Sequence, residues 1–216
     1  PASENGNWVT PLVSNSVGEI FAGYQYLYVL NGNAWQQQSS TPVGSGNIDY
    51  IEIDPTDDNT IYVSNGSGLY KSTDRGINFD LIYTAHTSIT SIEVNHTNNQ
   101  IVYLTTAGTG GRVLKSINGG IVFTNITTGI PNIGKNIIVH QPQHSDNPLY
   151  VGTSLGVYYL DDTMTSWEPF DTNLPNVSVE DLEINVEDAK LIAATYGRGV
   201  WQTDIPVQLA SDDIKM

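Results

Sequence analysis

Apolar residues come in short runs, each closed by a cluster of Gly, Asn, Asp, Ser or Pro, and no run is long enough for a core helix. One series of runs is Leu69-Tyr70, Val113-Leu114, Val157-Tyr158 and Val200-Trp201, which recur at intervals of about 44 residues. A second series, Ile61-Tyr62-Val63, Val102-Tyr103-Leu104, Leu149-Tyr150-Val151 and Leu191-Ile192-Ala193, precedes each of those by one short turn. A third comes earlier in every unit: Ile51-Glu52-Ile53, Ile92-Glu93-Val94, Ile137-Ile138-Val139 and Leu182-Glu183-Ile184. Turn clusters such as Asp54-Pro55-Thr56-Asp57-Asp58-Asn59 separate the runs, so each unit predicts three strands in fixed order. Ile20-Phe21-Ala22 and Leu27-Tyr28-Val29 match the second and third strands of a weaker opening copy.

Beyond the third strand a tight turn leads to an aromatic residue, as in Ser72-Thr73-Asp74-Arg75-Gly76-Ile77-Asn78-Phe79, and this supplies a fourth strand. A four-stranded antiparallel meander repeated at this period is a propeller blade, because neighbouring blades cover both faces of each twisted sheet. Tandem small sandwiches would need a longer period. The expected fold is therefore all-β, a β-propeller of about five four-stranded antiparallel blades and part of a larger propeller. The blades fall at approximately 8–43, 44–85, 86–130, 131–174 and 175–206, between a polar lead (1–7) and a tail or linker (207–216). The last unit reaches only its third strand, and the lead is the one segment left to supply the missing outer strand.

Composition narrows the function. Eight basic residues against 23 acidic ones give a formal charge of −15, and the basic ones stand singly, which disfavours a nucleic acid partner. No stretch approaches the roughly 18 apolar residues of a membrane span, so no membrane insertion is expected. The absence of cysteine excludes disulfide staples and thiolate catalysis.

The pattern S-x-D-x-G-x-x-[FW] at Ser72, Asp74, Gly76 and Phe79 resembles the Asp-box, or BNR repeat, of sialidases, two-propeller xyloglucan hydrolases and sortilin-type receptors. A second copy has Ser116, Asn118, Gly120 and Phe123, with Asn in place of Asp, and a decayed third keeps Asp162 and Trp167. The closing run Ala193-Ala194-Thr195-Tyr196-Gly197-Arg198-Gly199-Val200-Trp201 is similar to the last blade of large secreted bacterial sialidase-like and glycosyl-hydrolase-like proteins. The resemblance spans about Trp8 to Pro206. It implies a secreted or cell-surface bacterial protein of which this chain is a C-terminal section, and it makes the boxes structural, lying at the blade periphery.

A sialidase needs three converging arginines, and Arg75, Arg112 and Arg198 fall in unrelated turns and strands. A xyloglucanase-like reaction needs two carboxylates across a cleft; Asp49, Glu180 and Asp181 lie nearest the starts of inner strands, but nothing pairs them. Catalytic residues are therefore expected to be none. Glu52, Glu93 and Glu183 recur at one position of the inner strands, with Ile138 replacing them in the fourth unit. Blade symmetry points them into a central channel, where Ca²⁺ is the one ion the pattern proposes. No other cofactor is implied. His86, His96, His140 and His144 lack zinc-ligand spacing and read as surface residues. Tyr50, Tyr196 and Trp201 are candidate ligand contacts, since sugars stack on aromatic faces. Asp162-Thr163-Met164 resembles a short bacterial O-glycosylation acceptor, with Thr163 as its site. These readings combine into a non-catalytic structural or interaction module, whose partner is a polysaccharide, other glycan or protein, including other domains of its parent. The alternative is a glycoside hydrolase fragment whose remaining catalytic residues lie outside the chain.

Overall fold

A computed structural model describes residues 4–170 and 174–207, and every regular element among them is a strand. Blade one comprises β1 (Leu12–Ser14), β2 (Ile20–Gly23), β3 (Leu27–Asn31) and β4 (Ala34–Gln37). Blade two comprises β5 (Tyr50–Ile53), β6 (Ile61–Asn65), β7 (Gly68–Ser72) and β8 (Asp80–Thr84). Blade three holds β9 (Ile89–Val94), β10 (Val102–Thr106), β11 (Val113–Ser116) and β12 (Phe123–Asn125). Blade four holds β13 (Lys135–His140), β14 (Leu149–Thr153), β15 (Gly156–Leu160) and β16 (Glu168–Pro169), and blade five β17 (Val179–Asn185), β18 (Lys190–Thr195) and β19 (Gly199–Asp204). Each sheet is an antiparallel meander in chain order, four-stranded in blades one to four and three-stranded in blade five among the described residues. The chain is a five-blade β-propeller. β5, β9, β13 and β17 pack side by side, with β1 next to β5.

The second strand of each blade is apolar on both faces because each face meets a different neighbour. Ile61, Tyr62 and Val63 are all fully buried: Ile61 and Val63 join Phe21 and Leu27 of blade one, whereas Tyr62 joins Ile92 and Leu104 of blade three. Tyr103 and Tyr150 repeat this role one and two blades on.

β1 had no counterpart in the repeat pattern, because Leu12-Val13-Ser14 is too short to show a period. The described part of the polar lead, residues 4–7, forms no strand of blade five. Asn7 donates to the Ile48 carbonyl and Asp49 Oδ1, tying the lead to the junction of blades one and two. Of the tail, only Val207 lies within the described residues.

The box turns explain how blades lock together. Ser72 Oγ accepts the N–H groups of Asp74 and Gly76 and donates to Asp74 Oδ1, while Asp74 Oδ1 accepts the N–H of Asn78 at 2.9 Å. Ser116, Asn118, Gly120 and Val122 repeat the network with an amide oxygen, so Asn118 keeps the one acceptor the turn requires. In blade four it is Asp161, one residue before the aligned Asp162, that accepts the N–H and hydroxyl of Thr163. Asp162 instead takes an N–H of Asn147 and lies 3.8 Å from Lys115 Nζ, a salt link to blade three. The aromatics point backward: Phe79 packs on the cluster of Phe21 and Leu27, Phe123 lies 4.6 Å from Tyr83, and Trp167 fills the gap between blades three and four.

Gly76 shows how tight this junction is. Its φ is +81°, and a Cβ there would sit 2.4 Å from Leu27 Cδ2 of blade one. Gly76→Ala is expected to cost about 1–2 kcal/mol, as left-handed strain plus displacement of the Leu27 methyl. Urea denaturation checks this; an unchanged midpoint would remove the box glycine from the packing account.

Candidate functional site

Consecutive residues of an inner strand alternate between the blade interior and the axis. The axis is a channel of about 450 Å³, walled among others by Glu52, Glu93, His96, His140, Asp181 and Glu183. Two of the repeated glutamates serve the backbone. Glu52 Oε1 accepts the N–H of Val94 at 3.4 Å, and Glu93 Oε1 accepts the N–H of His140 at 2.9 Å. Val94 and His140 are equivalent, each closing its inner strand, so each glutamate reaches one blade forward and satisfies an edge N–H that no ladder covers. Burial raises the Glu52 carboxyl to about 8, with Asp54 and Glu183 adding to the rise and the Val94 N–H opposing it. Glu93 is pushed well above the ordinary carboxylate range by burial and then by Glu52. Glu183 is raised by burial and Asp181, yet its side chain is exposed.

Cross-strand register corrects the fourth member of the series. Glu52 stands opposite Tyr62 and Glu93 opposite Tyr103, while Tyr150 stands opposite Val139. Val139, not Ile138, therefore holds the glutamate position, and Ile138 is fully buried between blades. Three consecutive apolar residues, Ile137-Ile138-Val139, carry no alternation that would set their phase.

The histidines divide. His86 is exposed, whereas His140 is buried and stacks on His96 at 5.4 Å between ring centroids. His96 Nδ1 lies 3.2 Å from His140 Nδ1 and 3.7 Å from Glu93 Oε1. Burial, and then His96, lower the His140 imidazole to about 4. His140 lies where Val94 does in the preceding blade, so the surface reading fails for it; aligning Gln141-Pro142 with Asp54-Pro55 would have placed it inward. His144 is in a turn, where its Nδ1 accepts the Asp146 N–H.

The aromatic candidates lie at the other end of the inner strands. Tyr50 opens β5 on the channel wall, its hydroxyl raised by burial and by Asp49 and Glu180. Tyr196 tops the β18–β19 hairpin at 77% exposure, its N–H bonded to the Ser178 carbonyl just before β17. Trp201 on β19 is also exposed and donates from Nε1 to the Arg198 carbonyl at the same hairpin. All three thus belong to the rim at which inner strands begin. Asp49 is engaged there by Asn7 and by the Gly66 N–H, Glu180 is exposed, and Asp181, raised by burial, accepts the Leu182 N–H. The arginines stay in separate blades, Arg75 paired with Glu19 at an outer turn. Thr163 is exposed, its hydroxyl 2.6 Å from Asp161 Oδ1.

No protein-family model matches the chain, and no curated protein sequence matches it. Solved structures do resemble it. A GH74 enzyme from Niastella koreensis superposes with a TM-score of 0.72 at 18% identity, over 92% of this chain and 36% of that one. The GH74 xyloglucanase from Xanthomonas campestris gives 0.73 at 14% identity, again over 92% and 36%. The extracellular domain of the putative hybrid two-component system BT4673 from B. thetaiotaomicron gives 0.68 at 17% identity, over 93% and 27%. The fold is thus that of a β-propeller resembling GH74 domains, and the chain spans about a third of the length of those enzymes.

Proposed function

We propose that the chain is a non-catalytic interaction module of a secreted or cell-surface protein, binding glycan through the rim that carries Tyr50, Tyr196 and Trp201. The observation that carries this reading is the employment of the channel carboxylates. Glu52 and Glu93 each commit an oxygen to a backbone N–H of the next blade, which suits a scaffold rather than an acid and nucleophile facing a sugar. The rim, by contrast, offers exposed rings beside exposed carboxylates and amides, the combination that stacks on and hydrogen-bonds to a pyranose. The extracellular domain among the structural neighbours supports the location. A glycoside hydrolase fragment is the second reading, favoured by the likeness to GH74 enzymes and by the raised Asp181 on the channel wall.

A glycan array run beside hydrolysis assays on plant and bacterial polysaccharides separates the two. The expected result is binding without turnover, with Tyr196→Ala and Trp201→Ala each weakening retention about tenfold, the share of one stacking contact. Release of reducing sugar by the chain would overturn the non-catalytic reading, and binding indifferent to both substitutions would remove the rim.

A further inference from the structure

Where the inner strands end, opposite the aromatic rim, the channel holds a cluster that neither blade packing nor glycan contact employs in full. Glu93, His96 and His140 offer one carboxylate oxygen and two ring nitrogens within 4.8 Å of one another. We propose that these three residues bind a divalent first-row transition metal, with Zn²⁺ the best fit.

Two Zn–N bonds of about 2.0–2.1 Å at a tetrahedral angle set their nitrogens roughly 3.3 Å apart. The His96 and His140 Nδ1 atoms are 3.2 Å apart, with Glu93 Oε1 3.7 Å from the former. Two imidazoles and one carboxylate match the preferences of a borderline ion; Ca²⁺ prefers oxygen throughout. Glu93 and His140 are buried and held by their strands, so little ordering is left to do. All three residues line the channel, which provides an entry path and room for a water as fourth ligand. Asp181 and Glu183, exposed on the same wall, favour a cation.

The second shell sets the strength. Asn95 Oδ1 accepts the N–H groups of Thr97 and Asn98 and the Thr97 hydroxyl, all at 2.9 Å, which turns Asn95 Nδ2 toward His140 Nε2 at 3.0 Å. A metal on Nδ1 leaves the imidazole proton on Nε2, where it meets another donor. The His96 N–H, 3.3 Å from His140 Nδ1, must also yield to the ion. Asn95 therefore holds affinity down. Asn95→Asp would supply the acceptor that metal-bound histidines ordinarily have while keeping the turn. Blade two already shows an aspartate making that turn: Asp54 Oδ1 accepts the Thr56 N–H and hydroxyl at 2.8 Å.

Metal-stripped wild type, Asn95→Asp and His96→Ala are titrated calorimetrically with Zn²⁺, Co²⁺ and Ca²⁺, and the Co²⁺ complex is read by visible absorption. His96 lies in a turn with its side chain about one-third exposed, so His96→Ala should fold. Zn²⁺ and Co²⁺ are expected to bind wild type, with a Co²⁺ spectrum of nitrogen ligation. Asn95→Asp should bind Zn²⁺ about 10–100-fold more tightly and His96→Ala at least about tenfold more weakly, by analogy with other second-shell and ligand changes. Wild type silent to Zn²⁺ and Co²⁺ at millimolar concentration overturns the site, as does His96→Ala with wild-type affinity or Asn95→Asp with no gain. A preference for Ca²⁺ over Zn²⁺ also overturns it, and would return the channel to an oxygen site built on Glu52, Glu93 and Glu183. None of these outcomes depends on whether the rim binds glycan.

Discussion

Trp167→Ala is expected to lose about 3–5 kcal/mol of stability, the range for truncating a large buried aromatic. The ring is 2% exposed and packs with Tyr103, Val113, Ile130, Ile138 and Leu149 across the seam between blades three and four. Its Nε1 donates to the Ile126 carbonyl at 2.7 Å and its backbone N–H to the Thr128 carbonyl at 2.9 Å. Only the first of these is lost on substitution, and it leaves a carbonyl without its donor. At about 2–4 °C per kcal/mol for a domain of this size, the melting temperature should fall by on the order of 10 °C. Trp167→Phe separates the terms: it keeps most of the apolar fill, loses the Nε1 bond, and should cost roughly 1–3 kcal/mol. Because each blade touches only its neighbours, hydrogen exchange should quicken first in β11, β12, β15 and β16 and least in blade one. A melting temperature of Trp167→Ala within about 2 °C of wild type would show that the residue is not a seam anchor.

Trp167 was legible in the sequence because the aromatic ends a turn pattern repeated at Phe79 and Phe123. So were strands two and three of every blade, whose apolar runs are long enough to align. What the sequence hid shares one physical cause: the missing information lay in phase, not in composition. β1 is three residues long, so no period marks it. Ile137-Ile138-Val139 is apolar throughout, and only pairing with β14 reveals that Val139 faces the channel. The same slip concealed His140, which a one-residue shift moves from a turn to a buried strand end. Asp161 and Asp162 are chemically identical neighbours, and only the hydrogen bonds of Thr163 and Asn147 tell which closes the turn. The repeated glutamates were visible as a series. Their use was not, because a carboxylate that caps a neighbouring backbone N–H and one that holds an ion look alike in one dimension.

That use makes stability depend on pH, and Glu52 offers the cleanest handle. Its carboxyl is raised from 4.5 to about 8, with burial the first cause. Below pH 4.5 the folded and unfolded chains both hold this proton, and the contribution of the site is complete. Between 4.5 and about 8 the unfolded chain has released it and the folded chain has not, so the folded state binds more protons and stability falls as pH rises. Each unit of separation is worth about 1.4 kcal/mol, and part of the side chain still meets channel water, so the loss attributable to Glu52 between pH 5 and 8 should be about 2–4 kcal/mol. The groups facing it, Asp54, Glu93 and Glu183, are acidic as well and push in the same direction. Glu52→Gln keeps the shape and the acceptor for the Val94 N–H and turns its amide donors toward those carboxylates. At pH 5 the variant should match wild type; at pH 8 it should be the more stable of the two by most of that 2–4 kcal/mol, on the order expected for removing a buried charge. Urea denaturation at both pH values with chelator present reads the difference, and taking it between the two proteins cancels what Glu93 contributes to both. Equal stability of wild type and Glu52→Gln at pH 8 would mean that Glu52 ionises freely in the folded channel, and the inter-blade link would then be a charged one.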